Sequence, residues 1–179
     1  MEGKMEVKTV VMVGMFAAVL AAAAQISVPL PFGVSLTLQT FAVALSGMIL
    51  GSRKGTLAVL IYILTGLAGM PVFSNFRGGP GVLFGKSGGF LFGFLFMAFL
   101  CGTAMKLKNK AGMVLLFAAG LAVCHICGIL QFAVISHMSF IESAALVSVP
   151  FLIKDIVSAA IAYGAAGIIR RSIHAAGIR

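Results

Sequence analysis

From Ala111 to Ile135 the chain reads AGMVLLFAAGLAVCHICGILQFAVI, without one aspartate, glutamate, lysine or arginine. About 20 consecutive apolar residues are enough for a helix to cross a bilayer's hydrocarbon core, and this run exceeds that. Backbone polar groups in lipid must be satisfied within the segment, which makes the helix the default conformation. Working outward, five further apolar segments run from Thr9 to Ile26, Leu36 to Gly51, Gly55 to Met70, Gly88 to Met105 and Ala144 to Ile169. The segments from Leu36 and from Gly55 are short for a full crossing. They are expected to pack inside the bundle or to end in partly re-entrant loops. The expectation is an all-α integral membrane protein, a bundle of six transmembrane helices. Residues 1–179 then form a single six-helix membrane domain, with no length left for a soluble one.

Composition agrees with this reading. Hydrophobic residues make up 61% of the chain and charged residues 9%, with a mean hydropathy of +1.15. A soluble domain carries roughly 25% charged residues, and a chain this apolar would expose large sticky patches in water. Cys101, Cys124 and Cys127 all lie inside apolar runs, so no disulfide framework is expected. A cleaved signal peptide is the weaker reading of the first segment, which lacks a clear small-residue cleavage site.

The net charge of +9 raises nucleic acid as a partner, but the positions of the charges argue against it. If all six segments cross, Lys4, Lys8, Arg53, Lys54, Lys106, Lys108, Lys110, Arg170, Arg171 and Arg179 face one compartment. Only Arg77 and Lys86 face the other. The positive-inside rule makes this a multi-pass protein of the cell membrane with both termini cytoplasmic. The basic loops retain at most a minor role in touching anionic lipid.

Two loops on the opposite side stand out. Ser27–Ser35 contains Pro29-Leu30-Pro31-Phe32-Gly33 and no charge, and Pro71–Gly89 is rich in glycine and aromatic residues. A long irregular connection in a compact protein is usually functional or disordered. This one is too apolar for disorder and reads as a structured outer loop capping a ligand pocket. Within it, Pro80-Gly81-Val82-Leu83-Phe84-Gly85-Lys86-Ser87 nearly matches a phosphate-binding loop, with Pro80 where the first glycine belongs. Such a loop follows a buried strand and opens a soluble helix. The only aspartate available to hold magnesium, Asp155, lies in another apolar segment, so ATP binding is rejected. A milder reading keeps Lys86 and the first backbone N–H groups of the next helix as a carboxylate site.

The pair Lys154-Asp155 sits inside the last segment, just after Pro150. Ionisable groups within a span are functional candidates by default. The bland alternative is a self-neutralising pair with Lys154 snorkelling outward. Thr37, Gln39 and Thr40 serve equally as interhelical hydrogen-bonding groups or as ligand contacts. Asn75, Phe73 and Phe76 pose the same choice, since aromatic rings suit the covering of an apolar ring system. The small residues Ala17, Ala18, Ala21 and Ala22 permit a close helix approach, either within the bundle or to a partner subunit. Cys124-His125-Ile126-Cys127 is a poor metal site, with His125 turned from the two thiols and a fourth ligand missing. No nucleophile with an orienting base is visible, and Glu142 stands in an outer loop, so an enzyme is not expected.

In order along the chain, Ile26–Thr40, Gly51-Ser52-Arg53-Lys54-Gly55, Gly69-Met70-Pro71-Val72-Phe73 and Gly85-Lys86-Ser87-Gly88-Gly89-Phe90 closely resemble the BioY family. The resemblance is strongest from Ile26 to Phe94. It implies a biotin-binding S component of an energy-coupling factor transporter, with six helices and a pocket near the outer surface. Biotin would be the transported ligand, with no cofactor. Partners would be a transmembrane coupling subunit and two ABC-type ATPase subunits, although some members work alone. The resemblance favours Ala17, Ala18, Ala21 and Ala22 as the face for the coupling subunit. It implies Gln39, Asn75, Lys86, Lys154 and Asp155 as the polar residues of the pocket, with Phe73, Phe76 and Phe90 around the thioether ring and alkyl chain. Lys86 or Lys154 would meet the carboxylate. Many members carry a lysine one turn after the sixth-helix aspartate, where this chain has Ser158; Lys154 stands just before the aspartate instead. The rival readings are a self-sufficient carrier of biotin or another small vitamin and, further off, a membrane enzyme.

Overall fold

A computed structural model describes residues 7–175. Glu2, Lys4, Glu6, Arg179 and both chain ends lie outside the described residues. Helix α1 spans Val7–Gln25 and leads into a hairpin, β1 (Ser27–Pro29) against β2 (Ser35–Thr37), antiparallel with Val28 opposite Leu36. Then come α2 (Gln39–Leu50) and α3 (Ser52–Leu67), a single 3-10 turn at Ser74–Phe76, and the one-turn α4 (Pro80–Leu83). The chain finishes with α5 (Gly88–Ala104), α6 (Lys110–Ser136), α7 (Phe140–Val147) and α8 (Val149–Ala175).

Helices α1, α6 and α8 are long and apolar enough to cross a membrane, and α2 and α5 are apolar but shorter. At 1.5 Å per residue, α2 is only about 18 Å long, well under the roughly 30 Å core of a bilayer. It compensates by being interior: every residue from Ala42 to Met48 is buried, with α1, α3, α5 and α8 around it.

Two expectations need revision. The apolar run Ala144–Ile169 is not one helix, because α7 ends at Val147 and α8 starts afresh at Val149. Pro150 explains the break, since a proline fits the first turn of a helix but would remove a hydrogen bond further in. The uncharged segment Ser27–Ser35 is ordered as a hairpin whose strands reach Thr37. Helix α7 opens with a capping box, in which Ser139 accepts from the Glu142 N–H and Glu142 accepts from the Ser139 hydroxyl and N–H. Those two hydrogen bonds, the hydroxyl's first, hold the Glu142 carboxyl below the usual carboxylate range.

Close helix contacts run through glycine. A Cβ on Gly47 of α2 would strike the Ala98 carbonyl of α5, and one on Gly55 of α3 would stand 2.7 Å from the Gly47 Cα. On α5, a Cβ at Gly93 would come 2.6 Å from the Cys124 Cα of α6. One apolar core runs from Val13, Phe16 and Leu20 on α1 to Ala162 and Ala166 on α8. A second, smaller one joins Val34, Ile129, Phe132, Val147 and Phe151 beneath the hairpin. At the opposite end the basic residues gather. Lys54 donates to the Thr9 hydroxyl at 3.0 Å, and Lys106 to the Ser52 hydroxyl at 3.4 Å.

Candidate functional site

Near the hairpin, a chain of polar side chains crosses an otherwise apolar bundle. Asp155 on α8 is buried, at 5% exposure, and pairs with the ammonium of the neighbouring Lys154. Its Oδ2 lies 3.2 Å from Nε2 of His125 on α6, and Nδ1 of that ring is 2.9 Å from the Ser148 hydroxyl between α7 and α8. Lys154 also donates to the Thr37 carbonyl at 2.8 Å, at the end of β2. From Thr37 the network continues. Its hydroxyl donates to Gln39 Oε1 at 3.0 Å, Gln39 Nε2 donates to the Tyr62 hydroxyl at 2.7 Å, and Tyr62 donates to the Val72 carbonyl at 3.3 Å. A buried charge costs several kcal/mol unless it is paired and hydrogen-bonded. Here the partners come from α2, α6, α8 and the hairpin, so the pair belongs to the joint between elements.

This network forms the polar floor of a cavity that is partly open to the outside. Thr37, Gln39, Thr40, Lys154 and Asp155 supply the polar wall, and Phe73, Phe90, Phe94 and Phe151 the apolar one. Phe90 and Phe151 stack with centroids 6.3 Å apart, and Phe73 meets the Tyr62 ring edge-on at 5.5 Å. Few, convergent polar groups among aromatic walls are the usual make-up of a small-molecule site. Outside it lies a shallower groove lined by Phe32, Gly33, Arg77 and Lys86, and the two share Val82 and Ser87.

The loop at the lip is tightly held. Gln25, the last residue of α1, donates to the Val72 and Phe73 carbonyls at 3.2 and 3.1 Å and accepts from the Phe76 N–H at 3.0 Å. Asn75 and Phe76 sit at positive φ, 59° and 55°. Asparagine tolerates that region and phenylalanine does not, so the surrounding contacts must impose the turn. Asn75 ties this loop to the hairpin, accepting from the Ser27 hydroxyl at 3.2 Å and donating to the Ser35 hydroxyl at 2.9 Å.

Of the residues singled out in the sequence, Gln39, Phe73, Phe90, Lys154 and Asp155 come together around the cavity. Asn75 is exposed at its lip, and Phe76 is 72% exposed and is not part of the cavity wall. Lys86 lies in the outer groove, its ammonium 5.8 Å from the Phe132 ring centroid. Ala17 and Ala21 are half-buried against the core, whereas Ala18 and Ala22 are exposed on the outer face of α1. Residues not assigned to the site from sequence are His125, Ser148, Tyr62 and Gln25. Each is the sort of lone polar group within or beside an apolar run that must find a partner, which was the available signal. In the sequence His125 stands beside two cysteines, which masks its link to Asp155.

Comparison with known proteins supplies the remaining evidence. The BioY family model matches residues 1–175. The chain is 43% identical over 155 residues to the biotin transporter BioY of Thermotoga maritima, covering 83% of this chain and 90% of that one. It is 37% identical over 159 residues to the probable biotin transporter BioY of Pyrococcus horikoshii, covering 88% and 93%. The fold superposes with a TM-score of 0.80 and 25% identity on a crystal structure of the S-component for biotin from an ECF-type ABC transporter, covering 96% of this chain and 93% of that one.

Proposed function

The chain belongs to the BioY family, and from that premise we propose that it is the biotin-binding S subunit of an energy-coupling factor transporter. It captures biotin at the outer membrane face and passes it inward together with a transmembrane coupling subunit and two ABC-type ATPase subunits. The observation that carries the reading is the buried Lys154–Asp155 pair, placed where a cavity and two ordered loops meet.

Biotin presents a cyclic urea, a thioether ring and an alkyl chain ending in carboxylate. A carboxylate such as Asp155 offers about four lone-pair positions. His125 and Lys154 engage two of them, which leaves acceptor capacity for a urea N–H. Lys154 and the Gln39 amide supply donors for the urea carbonyl. The thioether ring and chain lie against Phe73, Phe90 and Phe151. With its three donors taken by Asp155, the Thr37 carbonyl and the urea carbonyl, Lys154 leaves the biotin carboxylate to Lys86 at the mouth, beside the first turn of α5. Asn75 and Phe76 flank the ligand from the loop at the lip, which Asn75 holds against the hairpin.

The six longer helices, α1, α2, α3, α5, α6 and α8, are the transmembrane bundle, with the hairpin and the Pro71–Gly89 loop capping it. The clustered basic residues support a cytoplasmic position for Lys54, Lys108 and both termini. Equilibrium binding of radiolabelled biotin to the purified, detergent-solubilised chain tests the proposal. Saturable one-site binding, competed by unlabelled biotin, is expected. Absence of saturable binding by folded protein overturns the reading.

A further inference from the structure

We infer that His125 is a positioning residue for ligand capture, acting through Asp155 and oriented in turn by Ser148. The inference rests on the biotin-binding reading above and extends it to a residue that does not touch the ligand. His125 is buried, at 5% exposure, on α6. The cavity wall includes its neighbour Cys124 but not His125 itself, so the imidazole approaches Asp155 from behind. Asp155 Oδ2 accepts from Nε2 at 3.2 Å, and that fixes the proton on Nε2. In the neutral ring Nδ1 is then an acceptor, and the Ser148 hydroxyl lies 2.9 Å away to donate to it. Phe90 closes on the ring edge-to-face at 6.0 Å, leaving the imidazole little freedom to turn.

The need for this arrangement lies in the helices. Lys154, adjacent to Asp155 on the same helix, links the carboxylate to the hairpin through the Thr37 carbonyl, whereas His125 links it to α6. Farther along, α6 and α8 part around an apolar groove lined by Phe117, Leu121, Ile156 and Tyr163. His125 therefore supplies the polar tie that sets the carboxylate's angle relative to α6. A hydrogen-bonding group must be held close to its productive geometry by a supporting shell for a site to bind tightly. Here Ser148, His125 and Asp155 form that support in series. Holding Oδ2 from behind directs the remaining acceptor positions toward the cavity.

The test is a double-mutant cycle read by biotin affinity, with the unfolding midpoint of the ligand-free protein as the control for folding. His125→Phe keeps a ring of similar outline and removes both nitrogens. It should weaken biotin binding by roughly tenfold or more, the scale for losing a hydrogen bond to a charged group. In the Asp155→Asn background the same change should alter affinity by less than about twofold, because residues acting in series are not additive. His125→Gln, which retains an N–H donor, should recover most of the loss. Wild-type affinity in His125→Phe overturns the inference. Equal losses with and without Asp155, or a glutamine variant as weak as phenylalanine, also overturn it, since they mark a packing role. Should His125→Phe fail to fold, Ser148→Ala carries the test. A loss of a few fold that disappears in Asp155→Asn supports the relay, and an unchanged affinity refutes it. A wild-type chain that binds no biotin defeats the functional reading together with this one. Wild-type binding that is indifferent to His125 defeats this one alone.

Discussion

The two ends of the bundle are built by different rules. At the basic end, helices meet backbone to backbone through Gly47, Gly55 and Gly102, and charged side chains stay at the rim. At the hairpin end α5 and α6 also meet backbone to backbone, at Gly89 and Gly93, but there a chain of side-chain hydrogen bonds is added, running from Ser148 through His125, Asp155, Lys154, Thr37 and Gln39 to Tyr62. The first end gains from close packing, which in lipid is the main attraction between helices. The second holds polar groups out of water and keeps a cavity open, both of which cost stability. That contrast separates the part of the chain that makes the fold from the part that makes the site.

The largest effect is expected at a close glycine contact between helices. Gly47→Leu drives a side chain into the Ala98 carbonyl on α5, a clash that cannot be relieved without separating α2 from α5. It should abolish recovery of monodisperse protein after detergent extraction. Normal recovery and stability would show that the glycine contact is not what joins these helices.

The proposed topology sets the two ends in opposite compartments. With the three native cysteines replaced, a cysteine at position 54 or 108 should resist an impermeant thiol reagent in intact cells, and one at position 76 should react. Labelling at 54 or 108 would reverse the orientation.

The smallest effect on binding is expected on α1. Ala18 and Ala22 face outward, away from both cores. Ala22→Leu should leave biotin affinity within about twofold of wild type while reducing co-purification with the coupling subunit. Undiminished co-purification would make that face lipid-exposed only.

Much of the fold was legible because its signals are local. The run Ala111–Ile135 becomes α6, Lys110–Ser136, and Gly88–Met105 becomes α5, Gly88–Ala104, within a residue or so at each boundary. The break at Ser148 was not legible, because a proline such as Pro150 is compatible with either a kinked helix or a fresh start. For the site, Asp155 announced itself as a lone carboxylate in an apolar helix. His125 did not, because its role depends on a residue 30 positions away, and local spacing set it beside two cysteines instead. Gln25 likewise looks like the ordinary end of a helix until the loop it holds folds back onto it.

A polar end that binds biotin through Asp155 should lose affinity when that charge is removed. Asp155→Asn preserves the side chain's outline and removes its charge, so the cost should appear in the ligand rather than in the fold. Titrating purified wild type and variant with labelled biotin should show affinity lowered roughly tenfold to a hundredfold or more, with a correspondingly smaller biotin-induced rise in the unfolding midpoint. Full affinity and an unchanged rise in the variant would make the aspartate structural and contradict the account.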